Sequence, residues 1–150
     1  MAPLRPGAAA PRIGGVDLRS RPAALFFYKV TCPVCRMSAP KATALERAYP
    51  GSMTGIGQDP VAGLEAFSRE HGLGFGSIAD APPYPVSDAY GIEVVPTLFV
   101  IDDSGMVADA VESWDRAGYE RASRALADLT GAPYVEVSNA NDGLPPFRPG

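Results

Sequence analysis

The clearest pattern in the chain is the run Ala23-Ala24-Leu25-Phe26-Phe27-Tyr28-Lys29-Val30, which is apolar at odd and even positions alike. A strand that is wet on one side alternates, so a run apolar on both sides predicts a central strand covered above and below. A helix is expected from about Pro33 to Tyr49, with Pro40 as a kink inside it and Pro50-Gly51 as its stop. Met53 to Gly57 reads as a second strand, and Asp59 as the N-cap of a helix from about Val61 to His71. Glycines 72, 74 and 76 mark a loop before a short strand at Ser77 to Ala79. Ala81-Pro82-Pro83-Tyr84-Pro85 is a stiff connector into a short helix near Val86 to Tyr90. Thr97 to Ile101 and Met106 to Val111 form a hairpin around Asp102-Asp103-Ser104-Gly105. In the closing helix, about Asp115 to Leu129, Tyr119, Ala122, Leu126 and Leu129 share one face.

The order βαβα, βα, ββα predicts one α/β domain with a mixed central sheet and helices on both faces. Residues 1–22, rich in Pro, Gly, Ala and Arg, read as an irregular N-terminal arm with a short strand around Ile13 to Leu18. Residues 23–130 carry the domain. Residues 131–150 read as a Pro-rich tail that is extended or mobile.

Composition narrows the function classes. The chain has 150 residues, 46% hydrophobic and 20% charged, enough for one core. A net charge of -4 and no Lys/Arg cluster argue against nucleic acid and against an anionic membrane as partners. No apolar stretch of about 18 residues is present, and the opening Met1-Ala2-Pro3-Leu4-Arg5-Pro6-Gly7 lacks the apolar core of a secretory signal. The expectation is a cytoplasmic monomer, or an extracytoplasmic one if a leader has been removed ahead of Met1.

The only two cysteines stand at Cys32-Pro33-Val34-Cys35, where the central strand gives way to a helix. Unpaired N–H groups and the positive end of the helix dipole favour a thiolate there, and the thiolate is the attacking form of sulfur. Pro33 suits the first helical turn. Three other readings compete. Zinc needs about four ligands, and the chain offers two cysteines and a distant His71. A stabilising disulfide favours long loops, and so small a ring gains only about 2 kcal/mol. Two buried cysteines acting as hydrophobes would have to reach this junction by chance.

These residues, together with Tyr90-Gly91-Ile92-Glu93-Val94-Val95-Pro96-Thr97-Leu98-Phe99-Val100-Ile101-Asp102 and the turn at Gly105, resemble the thioredoxin fold over about residues 20–130. The long gap between the CxxC and Val95-Pro96-Thr97, its additional helix and strand, and Gly55-Ile56-Gly57-Gln58-Asp59 resemble the TlpA-like and redoxin branch shared with peroxiredoxins. The resemblance implies a thiol-disulfide oxidoreductase without metal or organic cofactor. Cys32 would be the nucleophile and Cys35 the resolving thiol of a redox-active disulfide. Pro96 would follow a cis bond beside the sulfurs, and the Val95 backbone would pair with an extended substrate, flanked by Thr31, Pro33 and Val34. The implied partners are a disulfide-containing protein or small molecule and an upstream thiol reductase or oxidant.

Several positions depart from the pattern. Phe26 stands where thioredoxin buries an acid, Ser38 where TlpA-like reductases often carry glutamate, and Thr31 where a tryptophan commonly precedes the first cysteine. Glu46 and Glu93 are candidate replacement bases, each also readable as a surface charge. Trp114 reads as packing, His71 as a helix-end residue, and Asp102 with Asp103 as turn chemistry. Pro33-Val34 places the potential between the family extremes, about -270 to -120 mV. Two alternative functions remain. One is a redoxin-type thiol peroxidase, although no Thr-x-x-Cys precedes either sulfur and Arg121 and Arg124 lie on the closing helix. The other is a non-enzymatic thioredoxin-fold adaptor or chaperone that keeps a vestigial CxxC.

Overall fold

The computed structural model describes residues 2–150. Its main sheet has the order β3-β2-β1-β4-β5, built from β1 (Ala23–Tyr28), β2 (Met53–Gly57), β3 (Ser77–Ala79), β4 (Thr97–Ile101) and β5 (Val107–Glu112). β1 runs parallel to β2 and antiparallel to β4, so the sheet is mixed. All six β1 residues are buried, as a strand apolar on both faces requires. Ala24, Phe26 and Tyr28 face a core shared with α1 (Pro33–Ala48), α2 (Val61–His71) and α4 (Arg116–Thr130). Leu25 and Phe27 face a second core that includes Tyr90, just after the short α3 (Pro85–Ala89).

The N-terminal arm completes that second core. No strand forms at Ile13 to Leu18; the arm instead makes a single bridge, Ala9 to Met106, and the Ala10 N–H donates to Gly105 at 2.8 Å. Ala10, Ile13 and Leu18 are nonetheless buried, and full burial of a side chain the size of Ile or Leu stabilises by about 1.5–3 kcal/mol. The Tyr90 hydroxyl donates to the Pro11 carbonyl at 2.6 Å and fastens the arm to α3. Irregular backbone here does the covering that a helix would otherwise do.

One local expectation, the Asp59 N-cap, changes. The N-cap of α2 is Pro60, without a side-chain bond, while the Asp59 carboxylate accepts the Val30 N–H at 2.9 Å. Asp59 therefore braces the turn that leads to the cysteines. Helix α1 continues through Pro40 to Ala48. The extended tail packs on the domain: β7 (Phe147–Arg148) pairs antiparallel with β6 (Trp114–Asp115). The Asp142 carboxylate lies 3.0 Å from the Lys41 Nζ and 3.2 Å from Arg116. A hydrogen bond from the Ser138 hydroxyl, then the Leu144 N–H and Lys41, hold Asp142 well below the usual carboxylate range. The buried Trp114 donates its indole N–H to the Pro145 carbonyl at 2.7 Å. Tertiary partners far away in sequence override the low propensity of a Pro-rich segment.

Candidate active site

The chain leaves β1 at Tyr28, turns through Lys29 to Thr31, and enters α1 with Cys32 as its N-cap. Cys32 has extended backbone geometry, Pro33 opens the first turn, and the Cys32 sulfur accepts the Cys35 N–H at 3.1 Å. A sulfur in this place does what a capping serine does, and the same donors favour its negative charge. Cys32 is half-buried; Cys35, one turn further on, is fully buried.

The two thiols are pushed apart in acidity. The thiol of Cys35 acts as a hydrogen-bond donor to Cys32, and the backbone N–H groups of Cys35 and Val34 and the Arg36 charge add to it, drawing Cys32 down to about 6. Burial pushes Cys35 far up, and its bond to Cys32 adds to the rise. One sulfur is therefore prepared to attack at neutral pH, while the other holds its proton until the first has reacted. Alkylation should follow this division. The rate of Cys32 modification by iodoacetamide should climb as pH rises through about 6 and level off above neutrality, because the reactive thiolate is the form present above the depressed pKa. Cys35 should stay unmodified throughout. Mass spectrometry of the two sites across pH checks both statements, and faster labelling of Cys35 than of Cys32 contradicts them.

Val95 and Pro96 come from the loop before β4, and the peptide bond between them is cis. The Cys32 thiol approaches the Val95 carbonyl at 3.5 Å, so this loop and the CxxC, 63 positions apart, form one site. Pro82-Pro83 is also cis, which nothing in the sequence reading anticipated. Thr31 and Pro33 are exposed beside Cys32, and Val95 is half-buried. Val34, expected on the recognition surface, turns into the core instead.

Phe26 is buried in the core that contains Cys35, stacked on Tyr28 with ring centroids 5.4 Å apart. No carboxylate takes its place. Glu46 caps the turn after α1, accepting the N–H groups of Gly51 and Met53, and Glu93 is exposed beside the arm. The polar groups near Cys35 include Ser38, whose hydroxyl donates to the Val34 carbonyl at 2.8 Å, and the wholly buried Tyr119, whose hydroxyl meets no hydrogen-bond partner within bonding geometry among the described residues. Arg36 donates to the Val30 carbonyl at 3.1 Å and brings positive charge to both sulfurs. The sequence reading left Arg36 out of the site and gave Tyr119 only a place on the packing face of the closing helix. Arg36 was legible as a cation one residue after the motif, whereas the place of Tyr119 depends on how α4 docks.

The remaining candidates lie elsewhere. The His71 ring packs on Phe67 at 4.4 Å, at the helix end that Gly72 closes in the left-handed conformation. Asp102 organises its turn by accepting the Ser104 and Met106 N–H groups. Arg121 pairs with Asp109 at 3.1 Å, and Arg124 covers the Tyr134 ring. Among the described residues, no cluster of three metal-ligating side chains occurs, and no helix is long and apolar enough to cross a membrane.

A profile of the AhpC/TSA family matches residues 12–110, a stretch that includes part of the arm, the CxxC and the Val95-Pro96 loop. The chain belongs to the AhpC/TSA family. This AhpC/TSA protein is 33% identical over 81 residues to a thiol:disulfide interchange protein DsbE homolog of Paracoccus denitrificans. The match covers 54% of this chain and 45% of that protein, so the chain spans about half the length of the curated relative. Among solved structures, a putative thiol:disulfide interchange protein DsbE from Chlorobium tepidum superposes with a TM-score of 0.73 at 22% identity, covering 84% of this chain and 98% of the other. MTB dsbF superposes with a TM-score of 0.61 at 26% identity, covering 75% and 83%. The thioredoxin-like fold of this AhpC/TSA protein is thereby established.

Proposed function

We propose that the protein exchanges thiols and disulfides through Cys32 and Cys35. The observation that carries this reading is the pairing of a half-exposed, readily ionised Cys32 beside the Val95 carbonyl with a buried, protonated Cys35 one helical turn away. The Cys32 thiolate attacks one sulfur of a substrate disulfide, forming a mixed disulfide and releasing the other sulfur as a thiolate that takes up a proton. Cys35 then loses its proton and attacks the Cys32 sulfur, closing the Cys32–Cys35 bridge and releasing the second substrate thiol. Two electrons pass to the substrate, and an upstream thiol reductase restores the dithiol. In reverse, with an oxidant restoring the bridge, the same steps insert a disulfide, and the thiol poise of the compartment selects the direction. The interchange names of the relatives in Paracoccus and Chlorobium support the same reading.

A thiol peroxidase is the second reading, because the AhpC/TSA match admits it. The two downstream arginines considered for holding a peroxide are engaged elsewhere, Arg121 by Asp109 and Arg124 by Tyr134. Mixing reduced protein with hydrogen peroxide and, separately, with insulin decides between the two. Insulin should be reduced catalytically when a dithiol is supplied, and peroxide should oxidise the protein only at the pace of an ordinary acidic thiol. Saturable peroxide turnover that survives loss of one cysteine would reverse the ranking, and failure with both oxidants would favour a binding role.

A further inference from the structure

Residues 147–150 lie against the edge where a substrate chain is expected to pair. Residues 138–146 are firmly held: Asp142 sits between Lys41 and Arg116, the Arg116 guanidinium donates to the Leu144 carbonyl at 2.8 Å, and the Arg116 N–H donates to Pro146 at 3.0 Å. Beyond them the hold changes character. Phe147 is 54% exposed and buries little, so backbone bonds to β6 and one further contact keep 147–150 in place. That contact is the Gly150 N–H, which donates to the Ser113 hydroxyl at 2.9 Å. Ser113 itself has a left-handed φ of 69° and donates its N–H to the Pro96 carbonyl at 2.8 Å. Strand β7 is thus led onto the Val95-Pro96 loop.

Gly150 then lies so close to Val95 that a Cβ on it would collide with the Val95 carbonyl oxygen and come within 2.9 Å of the carbonyl carbon. The same oxygen faces the Cys32 thiol. An extended polypeptide pairing with Val95 needs this edge free, whereas a small disulfide needs only the Cys32 sulfur, which remains half-exposed under the tail.

Resting on the thiol-disulfide reading above, we propose that residues 147–150 are a selectivity strap. They lie across the backbone edge at Val95 and must swing aside before a polypeptide disulfide can pair there, while small disulfides reach Cys32 with the strap in place. The anchor at 138–146 keeps the strap at hand, and the weak hold beyond it lets the strap leave.

Gly150→Ala, which sets a side chain against the Val95 carbonyl, and Asp142→Asn, which weakens the anchor, test this in the full chain. The specificity constant is measured for each with insulin and with oxidised glutathione, using the same dithiol reductant, and hydrogen exchange of the backbone N–H at position 150, bonded to the Ser113 hydroxyl, reports the strap. Both variants should raise the insulin value about fivefold, the factor that roughly 1 kcal/mol of lost strap binding gives. The glutathione value should stay within about twofold, since only the polypeptide competes with the strap. Equal gains for the two substrates would show a general change at Cys32 and overturn the selectivity role. An unchanged insulin value also overturns it, with faster exchange at position 150 because the released strap was not limiting, and without it because a strap undisturbed by that collision does not lie on the edge. If the unaltered protein reduces neither substrate, the exchange reading fails instead.

Discussion

Replacing Cys35 by serine should yield a protein that captures its disulfide substrate and does not release it. Cys35 is wholly buried and holds its proton, so its task begins only after Cys32 has formed the mixed disulfide. Without the second sulfur, release must wait for a thiol from solution, and the adduct should accumulate as a covalent species on non-reducing gels. Cys32→Ser should instead abolish disulfide reduction, because serine in the N-cap position keeps the hydrogen bond from the Cys35 N–H and loses the nucleophile. Serine is a preferred N-cap, so neither the helix nor the fold should suffer. The opposed outcomes separate the two roles. Repeated insulin turnover by Cys35→Ser without an adduct would refute the assignment.

Phe26→Asp should produce the largest change in stability together with a gain in one chemical step. Phe26 is fully buried, stacked on Tyr28 and set edge-on to Phe75 at 6.1 Å. Loss of so large an aromatic side chain from a core costs about 3–5 kcal/mol, and a carboxylate left without hydrogen-bond partners costs more. A carboxylate on this face of β1 would, however, give Cys35 a nearby proton acceptor that the present core lacks. The variant should melt well below the parent, yet resolve its mixed disulfide faster at temperatures where it is folded. Stopped-flow measurement of adduct decay, with circular dichroism to confirm folding, reads both effects. A folded variant whose adduct decays no faster would mean that Phe26 is not the position from which Cys35 can be served.

Much of the architecture was legible because the signals were local. The β1 run is apolar on both faces, Pro33 marks the start of α1, and Asp102 to Gly105 has the chemistry of a tight turn. The CxxC and the Val95-Pro96 loop were each visible, and thioredoxin likeness supplied the link that the 3.5 Å approach of Cys32 to Val95 now makes physical. What escaped depended on partners distant in sequence. Asp59 has the composition of an N-cap, but the nearer need was the Val30 N–H, brought to it by the pairing of β1 with β2. Prolines 133, 145, 146 and 149 advertise an absence of regular structure, which is not an absence of order. Nothing local to them reveals that the Trp114 indole and Arg116 await their carbonyls. Val34 was read as surface from its place in the motif, although the turn of α1 that exposes Cys32 carries Val34 inward.

The arm also decides where this protein can be cut or joined to another. A fusion point or protease site at residue 22, the boundary that composition suggests, would remove Ala10, Ile13 and Leu18 and leave Leu25, Phe27, Phe99 and Ile101 without their cover. A contiguous apolar surface of that kind invites self-association, so such a fragment would keep both cysteines and lose solubility.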